Sequence, residues 1–180
     1  MTENLKFKEE IYILPCSDSC GKCIAACPTN SLKKPYTMSL IKCASFITTM
    51  SPEKNMGNIS MKKAAKLGQL MYGCDICQDV CPYNKDKCKG GEDFPMLNET
   101  ALHMSPQRIM SMSYEEIGNY LSKYWYISKR NLWKWKLNAL TYMLNNYSDN
   151  HKEYIKLGLE DVDKRVRVFA KKVLMKLGKS

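Results

Sequence analysis

The sequence predicts a mostly α-helical fold with little strand, in two parts: a cysteine-rich domain over residues 1–90 and a small helical-repeat domain over 91–180. Three observations carry this. All nine cysteines lie at or before Cys88 and all three tryptophans lie after it, so composition changes between the halves. The first half has only short apolar pieces, broken by Pro15, Pro28, Pro35, Pro52 and Pro82, so it holds no long strand and needs cross-linking to keep a shape. The second half repeats apolar residues at helical spacing. Residues 85–93 are charged and glycine-containing, which suits a linker, and the boundary falls near Gly90 and Gly91.

In chain order, short helices are expected after Cys20 and over 39–48, 61–72 and 75–80. Beyond the linker, helices are expected over 114–125, 131–147, 153–159 and 163–177. In the second of these, Leu132, Trp135, Ala139, Tyr142 and Met143 lie on one side. In the last, Val162, Val166, Phe169, Ala170, Val173, Leu174 and Leu177 follow an amphipathic helical period. Asp161 or Asp163 can cap its start, and Gly178 follows its end. Short helices joined by short loops build a helical-repeat stack.

The chain has 180 residues, with 28 Lys plus Arg against 18 Asp plus Glu and a net charge of +10. At 44% hydrophobic it is not a disordered chain, and it is too short for a typical α/β barrel. No run approaches the ~20 apolar residues of a membrane span. The start, Met1-Thr2-Glu3-Asn4-Leu5-Lys6, lacks the basic-then-apolar order of a secretion signal, so a soluble, cytoplasmic protein is expected. Gly90 and Gly91 alone make no phosphate loop, and His103 and His151 have no serine and acid context for a hydrolytic triad.

Nine cysteines cannot all pair, and in a reducing compartment clustered cysteines ligate metal or act catalytically. The first group runs Cys16-x3-Cys20-x2-Cys23-x3-Cys27-Pro28 and the second Cys74-x2-Cys77-x3-Cys81-Pro82. The bacterial ferredoxin run is C-x2-C-x2-C-x3-C-P, whose fourth cysteine ligates the other cluster. A tight loop aims three thiolates at one cluster, and the chain then turns at the cysteine before proline, so that thiolate faces the second. Here the first spacing is one residue longer than the pattern, and the second group lacks a third cysteine of its own, which Cys43 can supply from a distance. The crossed assignment is Cys16, Cys20, Cys23 and Cys81 on one 4Fe–4S cluster and Cys27, Cys43, Cys74 and Cys77 on the other, with Cys88 left over as a bystander thiol. Four thiolates also make a closed zinc site. Zinc ribbons use two C-x2-C pairs, whereas both groups here carry an extra C-x3-C-P, and both histidines lie far away in sequence.

At these residues the chain resembles the epoxyqueuosine reductase family. The likeness is carried by Cys20-Gly21-Lys22-Cys23-Ile24-Ala25-Ala26-Cys27-Pro28-Thr29, by Pro35-Tyr36 ahead of Cys43, and by Tyr72-Gly73-Cys74-Asp75-Ile76-Cys77-Gln78-Asp79-Val80-Cys81-Pro82-Tyr83-Asn84. Tyr124-Trp125-Tyr126-Ile127 and Trp133-Lys134-Trp135-Lys136-Leu137-Asn138-Ala139 resemble that family's C-terminal region. The resemblance implies a bacterial ferredoxin-like double-cluster domain followed by a small HEAT-like helical-repeat domain. It further implies a link to reduction of epoxyqueuosine in tRNA, with two 4Fe–4S clusters passing electrons to cobalamin. In that family the cobalamin domain and the presumed catalytic acid precede the ferredoxin segment. Here fifteen residues precede Cys16, so the eight cluster cysteines are carried over and no catalytic residue is. Cobalamin is then expected only through a partner or a missing domain.

The positive charge is densest at the end, where Lys164, Arg165, Arg167, Lys171, Lys172, Lys176 and Lys179 occur with no acid among them. Arg165, Lys171, Lys172 and Lys176 are candidates for phosphate contacts with tRNA, and a solvated helix face accounts for the same pattern. Trp125, Trp133 and Trp135, with Tyr124 and Tyr126, can stack on bases or form core. Trp133 and Trp135 are two apart and cannot share a helix face. At least one is expected to face a neighbouring domain, a partner or solvent, as an exposed docking point. The expected function is an iron–sulfur electron-transfer module serving a cobalamin-containing redox partner in queuosine modification. The alternatives are a complete or fragmentary reductase acting on tRNA, and a tRNA-binding or structural module with clusters as staples.

Overall fold

Prolines and turn residues set the element lengths in the cysteine-rich half. The computed structural model describes residues 16, 19–51, 59–85, 87, 97–121 and 127–178; Cys88, the boundary at Gly90 and Gly91, and Tyr124, Trp125 and Tyr126 lie outside them. Helix α1, Lys22–Ala26, ends at Cys27, which is extended at ψ 111° because Pro28 disfavours the helical region for the residue before it. Strands β1, Leu32–Lys34, and β2, Thr37–Met38, pair antiparallel with Leu32 opposite Met38 and Lys34 opposite Thr37. The expected helix over 39–48 divides: a 3-10 turn at Leu40–Lys42 and helix α2 at Ala44–Thr49 meet at an extended Cys43, ψ 128°.

Helix α3, Met61–Ala65, is capped by Ser60. The helix expected to Tyr72 stops early because the chain turns through a left-handed Gly68, φ 55°. Helix α4, Ile76–Asp79, fills the short loop between Cys74 and Cys81.

The second half holds the four expected helices, the first of them ending at Tyr120, and two that were not expected, at Leu97–Ala101 and Pro106–Ser111. They are α5, Leu97–Ala101; α6, Pro106–Ser111; α7, Tyr114–Tyr120; α8, Trp133–Asn145; α9, Lys152–Leu157; and α10, Lys164–Leu177. Their starts are chemical. Ser105 caps α6 with proline in its first turn, Ser113 and Glu116 form a capping box on α7, and Asp163 caps α10.

Helix α8 is the centre. Helices α6 and α10 pack on it from the second half, and α2 and α3 from the first. Trp133 through Thr141 are all buried, as in a helix surrounded by protein. Of the outcomes expected for these tryptophans, an exposed docking point is overturned, since Trp133 is 2% exposed and Trp135 0%. Trp135 instead stacks on Tyr72 of the cysteine-rich half, ring centroids 5.1 Å apart. Trp133 lies under Arg165, whose guanidinium carbon is 4.0 Å from the ring. One apolar core includes Ala44, Ile47, Ala64 and Leu67 together with Ile109, Trp135, Leu140 and Phe169.

The polar residues of α8 are also spent inside. Lys134 Nζ donates to the carbonyls of Thr49 at 3.2 Å and Ser51 at 2.7 Å. Asn138 Nδ2 donates to Thr48 O, and Asn145 Nδ2 to Ala64 O and Gly68 O. On the other side, Lys136 pairs with Asp161 at 2.8 Å, and the Tyr114 hydroxyl donates to the same carboxylate at 2.7 Å. Burial, then the bond to Asp161, pushes the Tyr114 phenol well above its ordinary value, so it stays a donor.

Candidate iron–sulfur centre

Cys27 sits where α1 gives way to the turn Pro28-Thr29-Asn30, and Asn30 takes a left-handed φ of 52°, which asparagine tolerates better than most residues. The turn returns the Ser31 amide to donate to Cys27 Sγ at 3.2 Å, with Thr29 Oγ1 at 3.7 Å. Burial raises the Cys27 thiol, but the amides of Leu32 and Ser31 and the Thr29 hydroxyl outweigh it and hold the thiol below its ordinary value. These donors were not legible from cysteine spacing; the threonine and serine just after Cys-Pro were their only trace.

Cys74 is placed from the other side. Gly73 takes φ 66°, and its amide donates to Thr48 Oγ1 at 3.1 Å. That hydroxyl donates onward to Ala44 O at 2.9 Å. Tyr72, one residue earlier, is held by the stack on Trp135. The loop presenting Cys74 is therefore braced on α2 and α8. Cys43 is delivered by the extended link before α2. Burial pushes the Cys74 thiol up, and the charges of Cys43, Cys27 and Asp75 add to it. Burial likewise raises Cys77, with Cys74, Cys43 and Cys23 adding. Both Cys74 and Cys77 are thus held towards the thiol form, and a bound cationic metal would favour their ionisation.

Cys27, Cys43, Cys74 and Cys77 line one pocket, walled by Leu32, Met38, Ala44 and Ile76. They are the second expected set, gathered from three separate stretches of chain. Among the described residues no three His, Cys, Asp or Glu side chains stand close enough to hold one metal ion. An all-thiolate donor set, apolar walls and amide donors to sulfur fit a 4Fe–4S cluster. Cys16, Cys20, Cys23 and Cys81 are each partly buried. Cys20 and Cys23 flank the start of α1, Cys81 follows α4, and α1 lies against α4. The Tyr36 hydroxyl donates to Cys16 O at 3.3 Å.

The candidate phosphate contacts on α10 divide. Arg165 binds the Asp163 carboxylate through Nε at 2.9 Å and also through its terminal nitrogen, besides covering Trp133. Arg165 is thus already engaged within the fold. Arg167, from the same run, donates to Asp161 O and Val162 O. Lys171 and Lys176 are exposed and Lys172 is half-buried.

Residues 16–84 match the family described as a 4Fe-4S double cluster binding domain. That match supports 4Fe–4S binding by the cysteine-rich part of the chain, which the shared core joins to the packed helices. The epoxyqueuosine reductase of Bacillus subtilis is 38% identical over 87 residues, 48% of this chain and 21% of that protein. That of a Synechococcus species is 31% identical over 128 residues, 67% of this chain and 36% of that protein. A solved structure of the Bacillus subtilis enzyme superposes with a TM-score of 0.67 at 27% identity, covering 88% of this chain and 41% of that one. The Streptococcus thermophilus structure, at TM-score 0.69 and 24% identity over 90% of this chain and 41% of that one, shares the fold. The chain is related to the epoxyqueuosine reductases, and it spans between about a fifth and about a third of these two curated relatives.

Proposed function

We propose that the chain is an electron-transfer module related to epoxyqueuosine reductase, relaying electrons through two 4Fe–4S clusters to a cobalamin-containing partner in tRNA queuosine modification. The observation that carries this is the pocket lined by Cys27, Cys43, Cys74 and Cys77, which is the set the crossed ferredoxin pattern requires. A bound 4Fe–4S cluster supplies one-electron uptake and release. The chain's residues do the rest. Cys27, Cys43, Cys74 and Cys77 would hold one cluster, and Cys16, Cys20, Cys23 and Cys81 the other. Ser31 N–H and Thr29 Oγ1 beside Cys27 Sγ would stabilise negative charge on that sulfur, and Leu32, Met38 and Ile76 would keep water from it.

The test is iron and cobalt content of protein purified without oxygen, beside the Cys74→Ala variant. The wild type should hold about eight irons and the variant about four. Full iron retained in the variant sinks the ligand assignment. Cobalt bound together with eight irons favours a complete reductase instead of a relay. The same sample, given reductant and free cobalamin, should leave epoxyqueuosine in tRNA unreduced; turnover overturns the relay. Lys171, Lys172 and Lys176 remain candidate tRNA contacts, supported by the exposure of Lys171 and Lys176 on α10.

A further inference from the structure

The chain's positive charge is spread unevenly. Between Ser31 and Gly73 there are seven lysines and a single acid, Glu53. Four of those lysines, Lys42, Lys62, Lys63 and Lys66, line one open cleft together with Ile41. All four are exposed, and none is in a salt bridge among the described residues. The same cleft is bordered by Thr29 and Asn30, the turn that follows Cys27.

One side chain in its lining, Ile41, is apolar and exposed, and three more exposed apolar residues precede it closely in the chain. Tyr36 is 72% exposed, Met38 52%, Leu40 49% and Ile41 65%, all within six residues of the hairpin and the turn after it. Met38, in that stretch, also lines the thiol pocket. Ile41 exposed among four lysines, at the end of an exposed apolar stretch of chain, has the composition of an interface: apolar centre, charged edge.

We infer that this face docks an acidic protein, a small one-electron carrier with carboxylates around its own apolar patch. The inference rests on the cluster-bearing function proposed above, because the face matters to electron transfer only if the adjoining pocket holds a cluster. Charge selects the occupant. A second copy of this chain, at net charge +10, would set lysines against lysines. Nucleic acid would satisfy the lysines but leave Met38, Leu40 and Ile41 uncovered. An acidic carrier satisfies both, and it would be steered to the face at a rate that falls with salt.

The experiment measures binding of an oxidised, acidic plant-type ferredoxin to the iron-loaded chain at low and at physiological salt. The triple variant Lys62→Glu, Lys63→Glu, Lys66→Glu should weaken binding more than ten-fold at low salt and flatten its salt dependence. Ile41→Asp, which keeps the lysines, should weaken binding at both salts with the salt dependence retained. Binding unchanged in both variants overturns the inference. So does an unchanged ferredoxin affinity alongside loss of tRNA binding in the triple variant, which would assign the face to nucleic acid. Iron counted on the same samples separates the two levels: full iron with unchanged binding fails the dock alone, whereas no iron in the wild type fails the cluster assignment and the carrier with it.

Discussion

At the scale of single residues, the site depends on small hydrogen-bonding groups that hold the cysteines. Thr48 is the clearest. Its hydroxyl accepts the Gly73 amide and donates to Ala44 O, so one oxygen fixes the left-handed residue that precedes Cys74. Valine has the same shape and no acceptor. Thr48→Val should cost roughly 1–3 kcal/mol through the orphaned Gly73 amide. It should also speed iron loss to a chelator, because the Cys74 loop loses its brace. Unchanged release kinetics would show that Gly73 is held by other means. The cysteines were legible from sequence because cluster ligation is local in spacing. Thr48 was not, since its partner is twenty-five residues away and threonine in a short helix carries no such signal.

At the scale of elements, caps and chain breaks decide where helices stand. Asp163 starts α10 and turns Arg165 over Trp133, so one carboxylate both caps the helix and closes the stack. The Arg165 guanidinium holds the Asp163 carboxyl below its ordinary value, against burial. A depressed carboxyl contributes stability above its unfolded value, near pH 4, and loses it as pH falls through the folded one. Asp163→Ala should therefore cost about 1 kcal/mol at pH 7. In urea unfolding the gap to wild type should shrink as the pH is lowered below 4, and a gap equally wide in acid would remove the charged cap as its cause. This cap and the amphipathic period of α10 were plain in the sequence. The division of the 39–48 helix was not. The turn there is forced by the need to deliver Cys43 to a pocket whose other walls lie elsewhere in the chain.

At the scale of the molecule, the two halves expected from composition share one core and are tied across it by α8. The sequence hid this for a physical reason. Lys134, Asn138 and Asn145 fall on one helical face and look like a solvated stripe, yet they spend their donors on carbonyls of the cysteine-rich half. Lys134 places its ammonium at the C-terminal end of α2, where the carbonyls of Thr49 and Ser51 accept it and the helix dipole favours a cation. Lys134→Met fills a similar volume and leaves those carbonyls without that donor, at a cost of roughly 1–3 kcal/mol. The consequence reaches beyond stability. In the wild type, helix content by circular dichroism and visible absorbance from the cluster should be lost together on heating, as befits one cooperative unit. With Lys134→Met and Asn138→Leu combined, the absorbance should go first, because the braces on α2 are cut while α6, α8 and α10 still pack. Coincident loss in the double variant would mean that the apolar contacts alone, Trp135 on Tyr72 chief among them, join the halves.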